Sequence, residues 1–140
     1  MNAPLNSPSD STEGRSPVRV LLVEDNADSA EALALLLRML GNEVEVASDG
    51  ISGLRAVETN RHEIVLLDIG LPEMNGYDVA RRIREQPWGE RIALIALTGW
   101  GQDEDRRLAK EAGFDHHLVK PVDPQVLMPL FEKLRAKKQG

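Results

Sequence analysis

The sequence predicts an α/β domain in which helices cover both faces of a five-stranded parallel sheet. Short apolar runs alternate with segments of helical periodicity from residue 18 almost to the end of the chain. Several of these runs are continuously apolar, which is typical of strands buried on both faces. The length of 140 residues fits one domain with a substantial core.

The first two βα units are predicted over residues 18–60. Residues 18–23 form an apolar run that indicates a buried strand. Apolar residues then recur at helical spacing, namely Ala30, Leu33, Leu36, Leu37 and Leu40. Gly41 is well placed to end that helix. Residues 43–46 alternate Glu with Val, which indicates a strand nearer an edge, and a helix over about 51–60 is expected to turn Leu54 and Val57 inward.

The remaining units follow the same alternation. A buried strand over 64–67 runs into Asp68, and a breaker-rich loop over 70–76 precedes a helix over about 77–85, with Val79 and Ile83 inward. Residues 92–97 predict a fourth buried strand, followed by a helix from about 103 to Gly113 and a short strand around 117–119. The last helix is expected to carry one apolar face, formed by Val126, Leu127, Leu130, Phe131 and Leu134.

Five strands alternating with five helices, joined by right-handed crossovers, fit a flavodoxin-like (βα)5 three-layer sandwich. By analogy, the expected strand order is 2-1-3-4-5. Residues 1–17 lack periodicity and are rich in Asn, Ser and Pro, so we expect a disordered leader there and the folded domain over 18–138.

Composition excludes several classes of protein. The formal net charge of −6 argues against nonspecific binding to nucleic acid or to an anionic membrane. The absence of cysteine excludes disulfides and thiolate metal sites. No apolar run is long enough to span a bilayer and the N-terminus is not a signal peptide, so a cytoplasmic location without membrane insertion is expected.

Polar residues follow four of the predicted strands. Glu24 and Asp25 follow the first strand, Asp68 the third, Thr98 the fourth and Lys120 the fifth. Carboxyl ends of parallel strands share one edge of the sheet, so these side chains are expected to form one pocket. Clustered carboxylates raise a pKa or bind a cation, and oxygen ligands favour Mg²⁺. A carboxylate beside Mg²⁺ is a nucleophile suited to phosphoryl transfer.

Each residue also has a simpler interpretation. Asp25 with Asn26 could cap the first helix, and Asp68 could be a turn residue. Thr98 could cap the segment after it, and Lys120 could be a surface lysine. Their joint placement at successive strand ends favours the functional interpretation.

Four segments carry a family resemblance: VLLVEDN (20–26), LLDIGLPEMNG (66–76), ALTG (96–99) and VKP (119–121). In this order and at these separations, they resemble the signatures of response-regulator receiver domains of two-component signalling systems. The resemblance covers about residues 18–137.

The resemblance implies a role for each site residue. Asp68 would be the phosphoacceptor, and Glu24, Asp25, Asp68 and the backbone carbonyl of Gly70 would bind Mg²⁺, with Mn²⁺ as an alternative ion. Two residues would respond to the phosphoryl group, Lys120 by binding an oxygen and Thr98 as the switch hydroxyl. The Lys120–Pro121 peptide would be cis.

The chain departs from the family pattern at the switch-aromatic position, which holds His117. Imidazole is smaller than Phe or Tyr and titrates near neutral pH, so altered coupling to Thr98 is expected, although His117 could simply pack at a sheet edge. Two other positions, Gly70 and Trp100, are expected to tune the phosphoryl lifetime. Gly70 offers no side chain to guide water, whereas Trp100 could shield the acyl phosphate or contact a partner.

The resemblance implies a self-phosphorylating and self-dephosphorylating switch rather than a turnover enzyme. Its partners would be a histidine kinase or a histidine phosphotransfer protein, then a downstream effector, and the family also includes homodimers. Few residues follow Lys120, so no output domain is expected. Residues 113–121 resemble receivers attached to hybrid histidine kinases, so a kinase fragment and a separate shuttle both stay open.

The alternatives are a Mg²⁺-dependent phosphatase with an Asp nucleophile and a degenerate receiver that only binds partners.

Overall fold

The computed structural model describes residues 17–99 and 103–139. The predicted leader lies outside these residues except for Pro17. The strands are β1 (Arg19–Val23), β2 (Glu43–Ala47), β3 (Ile64–Asp68), β4 (Ala93–Thr98) and β5 (His116–Val119). The helices are α1 (Ala27–Met39), α2 (Gly50–Asn60), α3 (Gly76–Arg84), α4 (Asp103–Ala112) and α5 (Pro124–Gln139), with a 3-10 turn at Gly89–Arg91.

The sheet has the predicted topology. Its strand order is β2-β1-β3-β4-β5, and every neighbouring pair is parallel. The flavodoxin-like fold class is therefore confirmed. Because all five strands run the same way, the residues that follow them lie along a single edge of the sheet.

Side-chain caps fix the starts of three helices. Asn26 accepts a hydrogen bond from the backbone N–H of Ser29 at 2.9 Å. Asp49 and Asn75 accept equivalent bonds at the starts of α2 and α3, at 2.7 Å and 3.0 Å. Such a cap contributes about 1 kcal/mol by satisfying a backbone donor that the helix leaves unpaired. The first cap lies directly beside the acidic pair that follows β1.

The core consists of two apolar layers, one on each face of the sheet. Helices α2, α3 and α4 contribute to one layer, and α1 and α5 contribute to the other. Alternate residues of β3 enter opposite layers, Ile64 and Leu66 on one face and Val65 and Leu67 on the other. This period of two explains why the sequence of a doubly covered strand is continuously apolar.

Three apolar residues of the predicted helical stripes are exposed. Leu36 and Leu40 are 44% and 42% exposed, and Val126 is 51% exposed. On α1, Ala30 and Leu37 of the predicted stripe are buried in the layer together with Ala34. The expected position of Val126 on the buried face of α5 was wrong, because Leu127, Phe131 and Leu134 fill that layer.

Arg84 joins several elements at the amino edge of the sheet. Its side chain is 14% exposed, and its guanidinium group pairs with Asp115 at 2.8 Å. It also donates to the carbonyl oxygens of Gly113, Gly89 and Ile92 at 2.9, 2.6 and 2.8 Å. A single side chain thus connects the end of α3 with the 3-10 turn and the segment before β5.

We expect Arg84→Met to lower the free energy of unfolding by about 3 kcal/mol, because Asp115 and three carbonyl groups would lose a charged donor in a mostly buried site. Urea unfolding followed by circular dichroism measures the loss. The exposed Arg82, on the same helix, provides the matched control as Arg82→Met. Equal stability of the two variants would contradict the structural role of Arg84.

Candidate metal centre at the carboxyl edge of the sheet

Three carboxylates meet at the carboxyl edge of the sheet. Glu24 directly follows β1 and Asp68 ends β3, and these two residues are 5% and 7% exposed. Asp25 lies beside them and is exposed. One carboxylate oxygen from each residue lies within 4.8 Å of the others. The predicted convergence of Glu24, Asp25 and Asp68 is therefore present.

Glu24 is held by two donors. Its Oε1 accepts from Nζ of Lys120 at 2.8 Å, and its Oε2 accepts from the backbone N–H of Asn26 at 3.1 Å. Burial raises the pKa of Glu24 above its ordinary value, although both hydrogen bonds act in the opposite direction. Placing a negative charge here is thus costly, and a bound cation would reduce that cost.

Lys120 lies between two of the carboxylates. Its ammonium group contacts Glu24, as described, and also Oδ2 of Asp68 at 3.1 Å. Desolvation alone would lower the pKa of Lys120, but the bonds to both carboxylates raise it above its ordinary value. Its backbone N–H donates to the carbonyl of Thr98 at 2.7 Å, and the Lys120–Pro121 peptide is cis. Lys120 therefore is a site residue rather than an isolated surface lysine.

The loop after β3 closes tightly around Asp68. The backbone N–H of Gly70 donates to Oδ1 of Asp68 at 2.9 Å. Gly76 packs against this loop, because a Cβ atom there would lie 2.6 Å from Cα of Ile69 and 2.7 Å from the carbonyl oxygen of Asp68. The sequence placed Gly76 in a breaker-rich loop and in one of the family signatures but did not reveal this positioning role, which depends on the close approach of the loop.

Thr98 lies farther along the same edge, whereas His117 lies within β5, two residues before its carboxyl end. Thr98 ends β4 and is 2% exposed. His117 is half-buried in β5, opposite Ala96 in the strand register. Within the described residues, Nε2 of His117 is buried without a hydrogen-bond partner, and burial lowers the pKa of the imidazole. Trp100 lies outside the described residues, so its predicted shielding role stays a prediction.

The donor set fits a hard divalent cation. Carboxylate oxygens are the ligands that Mg²⁺ prefers, and it commonly uses one or two of them together with water. Glu24, Asp25 and Asp68 supply such oxygens within 4.8 Å of one another. The buried Glu24 and Asp68 favour a cation because, among residues 17–99 and 103–139, Lys120 alone forms ion pairs with them.

Together, the fold and the acidic cluster define a five-stranded α/β domain with a candidate divalent-metal site at a topological switch point. The model of the response regulator receiver domain family matches residues 20–132. The chain belongs to this family of two-component signal transduction.

Several characterised structures share the fold. The receiver domain of a sensor histidine kinase from Pseudomonas aeruginosa is 34% identical, with a TM-score of 0.79 over 86% of this chain and 98% of that one. That structure has a magnesium ion coordinated in its active-site cleft. Chemotaxis protein CheY4 from Vibrio cholerae is 26% identical, with a TM-score of 0.80 over 84% of this chain and 98% of its own.

Sequence relatives differ in length. An uncharacterised 14.6 kDa protein from Leptolyngbya boryana is 36% identical over 81% of this chain and 87% of its own length. The DNA-binding response regulator MtrA of Mycobacterium tuberculosis is 38% identical over 79% of this chain. The chain spans only 47% of MtrA and 15% of the gliding motility regulatory protein of Myxococcus xanthus.

Proposed function

We propose that this receiver domain accepts a phosphoryl group on Asp68 in a Mg²⁺-dependent reaction and thereby acts as a signalling switch. The observation that carries the proposal is the position of the Asp68 carboxylate. It lies at a strand end, next to two other acids, and Nζ of Lys120 is 3.1 Å from its Oδ2. The proposed nucleophile, the proposed metal ligands and a cationic partner for the incoming phosphoryl group thus lie close together.

The reaction would transfer a phosphoryl group from phosphohistidine or a small acyl phosphate. A carboxylate oxygen of Asp68 attacks phosphorus, the bond between phosphorus and the donor breaks, and the donor leaves with that electron pair. Glu24, Asp25, Asp68 and the Gly70 carbonyl would hold Mg²⁺, which would neutralise charge on the phosphoryl oxygens. The Lys120 ammonium group would bind one of these oxygens directly.

Phosphorylation would change the charge and the hydrogen-bond acceptors at the carboxyl edge of the sheet, where Thr98 also lies. The added group brings about one further negative charge and new acceptor oxygens. Thr98 ends the strand next to β3, and its carbonyl is already bonded to Lys120. A shift of the Thr98 hydroxyl toward the phosphoryl group would therefore reach β5, where His117 lies.

The family implies a histidine kinase partner. We propose that the donor is that kinase or a histidine phosphotransfer protein, and that the signal passes to an effector protein or along a relay. The net charge of −6 does not favour nucleic acid as the partner. None of the helices in the described part of the chain is long and apolar enough to cross a bilayer. We place the reaction in the cytoplasm, as a switch without substrate turnover.

The test is intact mass spectrometry after incubation with Mg²⁺ and acetyl phosphate. The parent is expected to gain one phosphoryl group, whereas Asp68→Asn gains none because the amide is not a competent nucleophile. Asp78→Asn, an acid outside the cluster on α3, provides the matched control and should behave as the parent. No gain by the folded parent would favour a degenerate receiver. Repeated turnover of a phosphate monoester would favour the phosphatase alternative.

A further inference from the structure

A second charged cavity lies at the amino edge of the sheet, opposite the phosphoacceptor. Its volume is about 560 Å³, within the range of small-molecule sites. We call it the basic groove, and it is lined by Arg61, His62, Glu63, Trp88, Arg91, Ile92, Arg135 and Lys138. Glu63 and Ile92 directly precede β3 and β4, whereas Asp68 ends β3. The groove and the acidic cluster thus occupy opposite ends of the same strands.

The charge of the basic groove is opposite to that of the whole chain. Four cationic side chains and one carboxylate line it, in a protein of net charge −6. Glu63 is paired with Arg135 at 2.8 Å, and Lys138 is paired with Asp115 at 3.1 Å. Within residues 17–99 and 103–139, Arg61 and Arg91 form no ion pair with a carboxylate. Two guanidinium groups in one cavity are therefore left for an anion.

Burial opposes a positive charge on His62, the one histidine that lines the groove. It is 5% exposed, and burial lowers the pKa of its imidazole even though its contact with Glu45 at 2.8 Å acts in the opposite direction. The attraction for an anion therefore comes mainly from the arginine and lysine side chains.

Arg61 is held in place by three constraints. Its guanidinium carbon lies 4.4 Å from the centroid of the Trp88 ring, in a cation–π contact. Its Nε donates to the carbonyl of Glu58 at 3.1 Å. Its backbone caps α2 in the left-handed region, with φ of 52°, which a residue with a Cβ atom seldom adopts. An arginine fixed in this way loses less side-chain entropy when it binds a ligand.

We propose that the basic groove binds a small diphosphate-bearing anion, with the guanidinium groups of Arg61 and Arg91 as the principal phosphate ligands. The planar guanidinium fork matches phosphate oxygens and binds them through paired hydrogen bonds. The stacked Arg61 and Trp88 side chains also offer a flat wall to an aromatic base. A nucleoside diphosphate and inorganic diphosphate share the required chemistry, and the site works independently of phosphorylation at Asp68.

The test is isothermal titration of the full chain with inorganic pyrophosphate and, separately, with ADP. Metal-free buffer of low ionic strength prevents a metal–diphosphate complex from binding at the acidic cluster and limits screening. We expect saturable binding of one equivalent by the parent and, with the same affinity, by Asp68→Asn. If ADP binds more tightly than pyrophosphate, the groove recognises a nucleotide. If the two affinities are equal, the groove recognises the diphosphate group alone.

The deciding comparison uses two arginine substitutions that each remove one positive charge. Arg91→Gln is expected to weaken binding at least about tenfold, which corresponds to roughly 1.4 kcal/mol. Arg82→Gln removes an exposed arginine of α3 outside the groove and should change the affinity less than about twofold by the same scale. Absence of binding to the parent at millimolar ligand, or an equal loss in both variants, would overturn the proposal.

Discussion

Lys120→Met is expected to slow phosphoryl gain from acetyl phosphate by about 10²-fold, as removal of one positioned donor does in other sites that stabilise developing charge. The ammonium group of Lys120 lies 2.8 Å from Glu24 and 3.1 Å from Asp68. It is therefore placed to bind a phosphoryl oxygen at the moment of transfer. Time-resolved intact mass spectrometry at saturating Mg²⁺ measures the rate.

A second readout separates this chemical role from a folding defect. Removing a positive charge from between Glu24 and Asp68 increases the negative potential of the cluster, so Lys120→Met should bind Mg²⁺ more tightly than the parent. Slow phosphorylation together with tighter Mg²⁺ binding would be the signature of a lost phosphoryl ligand. Lys133→Met, at an exposed position of α5, serves as the matched control. If Lys120→Met gained the phosphoryl group as fast as the parent, Lys120 would have no role in the proposed reaction.

The strands and helices could be predicted from the sequence because their signals are local, whereas the strand order 2-1-3-4-5 was expected by analogy with flavodoxin-like sheets. Continuously apolar strands, helical periodicity and helix-ending glycines each depend on neighbouring residues only. The sequence also predicted that Glu24, Asp25 and Asp68 lie close together, since parallel strands place their carboxyl ends along one edge of the sheet. These predictions needed the topology but no side-chain detail.

The features that the sequence did not predict depend on packing between distant segments. The side chain of Asn26 caps α1, whereas Asp25 is exposed beside the other two acids. The close approach of Gly76 to the Asp68 loop and the contacts of Arg84 with three segments arise only when the helices dock. The exposure of Val126 has the same origin, because neighbouring residues already fill the layer beneath α5.

Asp25→Asn is expected to weaken Mg²⁺ binding by about tenfold or more, with little effect on the fold. The Asp25 carboxylate is exposed, and one of its oxygens lies within 4.8 Å of those of Glu24 and Asp68. Loss of one of three negative charges removes a large part of the attraction for a divalent ion, and an amide is a weaker ligand.

Calorimetric titration with Mg²⁺ measures the affinity, and urea unfolding without metal checks the fold. The metal-free variant should be at least as stable as the parent, because one like-charge repulsion with Glu24 and Asp68 is gone. Glu58→Gln removes an exposed acid from α2, outside the cluster, and should leave the Mg²⁺ affinity unchanged. If both variants bound Mg²⁺ as the parent does, Asp25 would not be a ligand, and the metal centre would have to depend on Glu24 and Asp68.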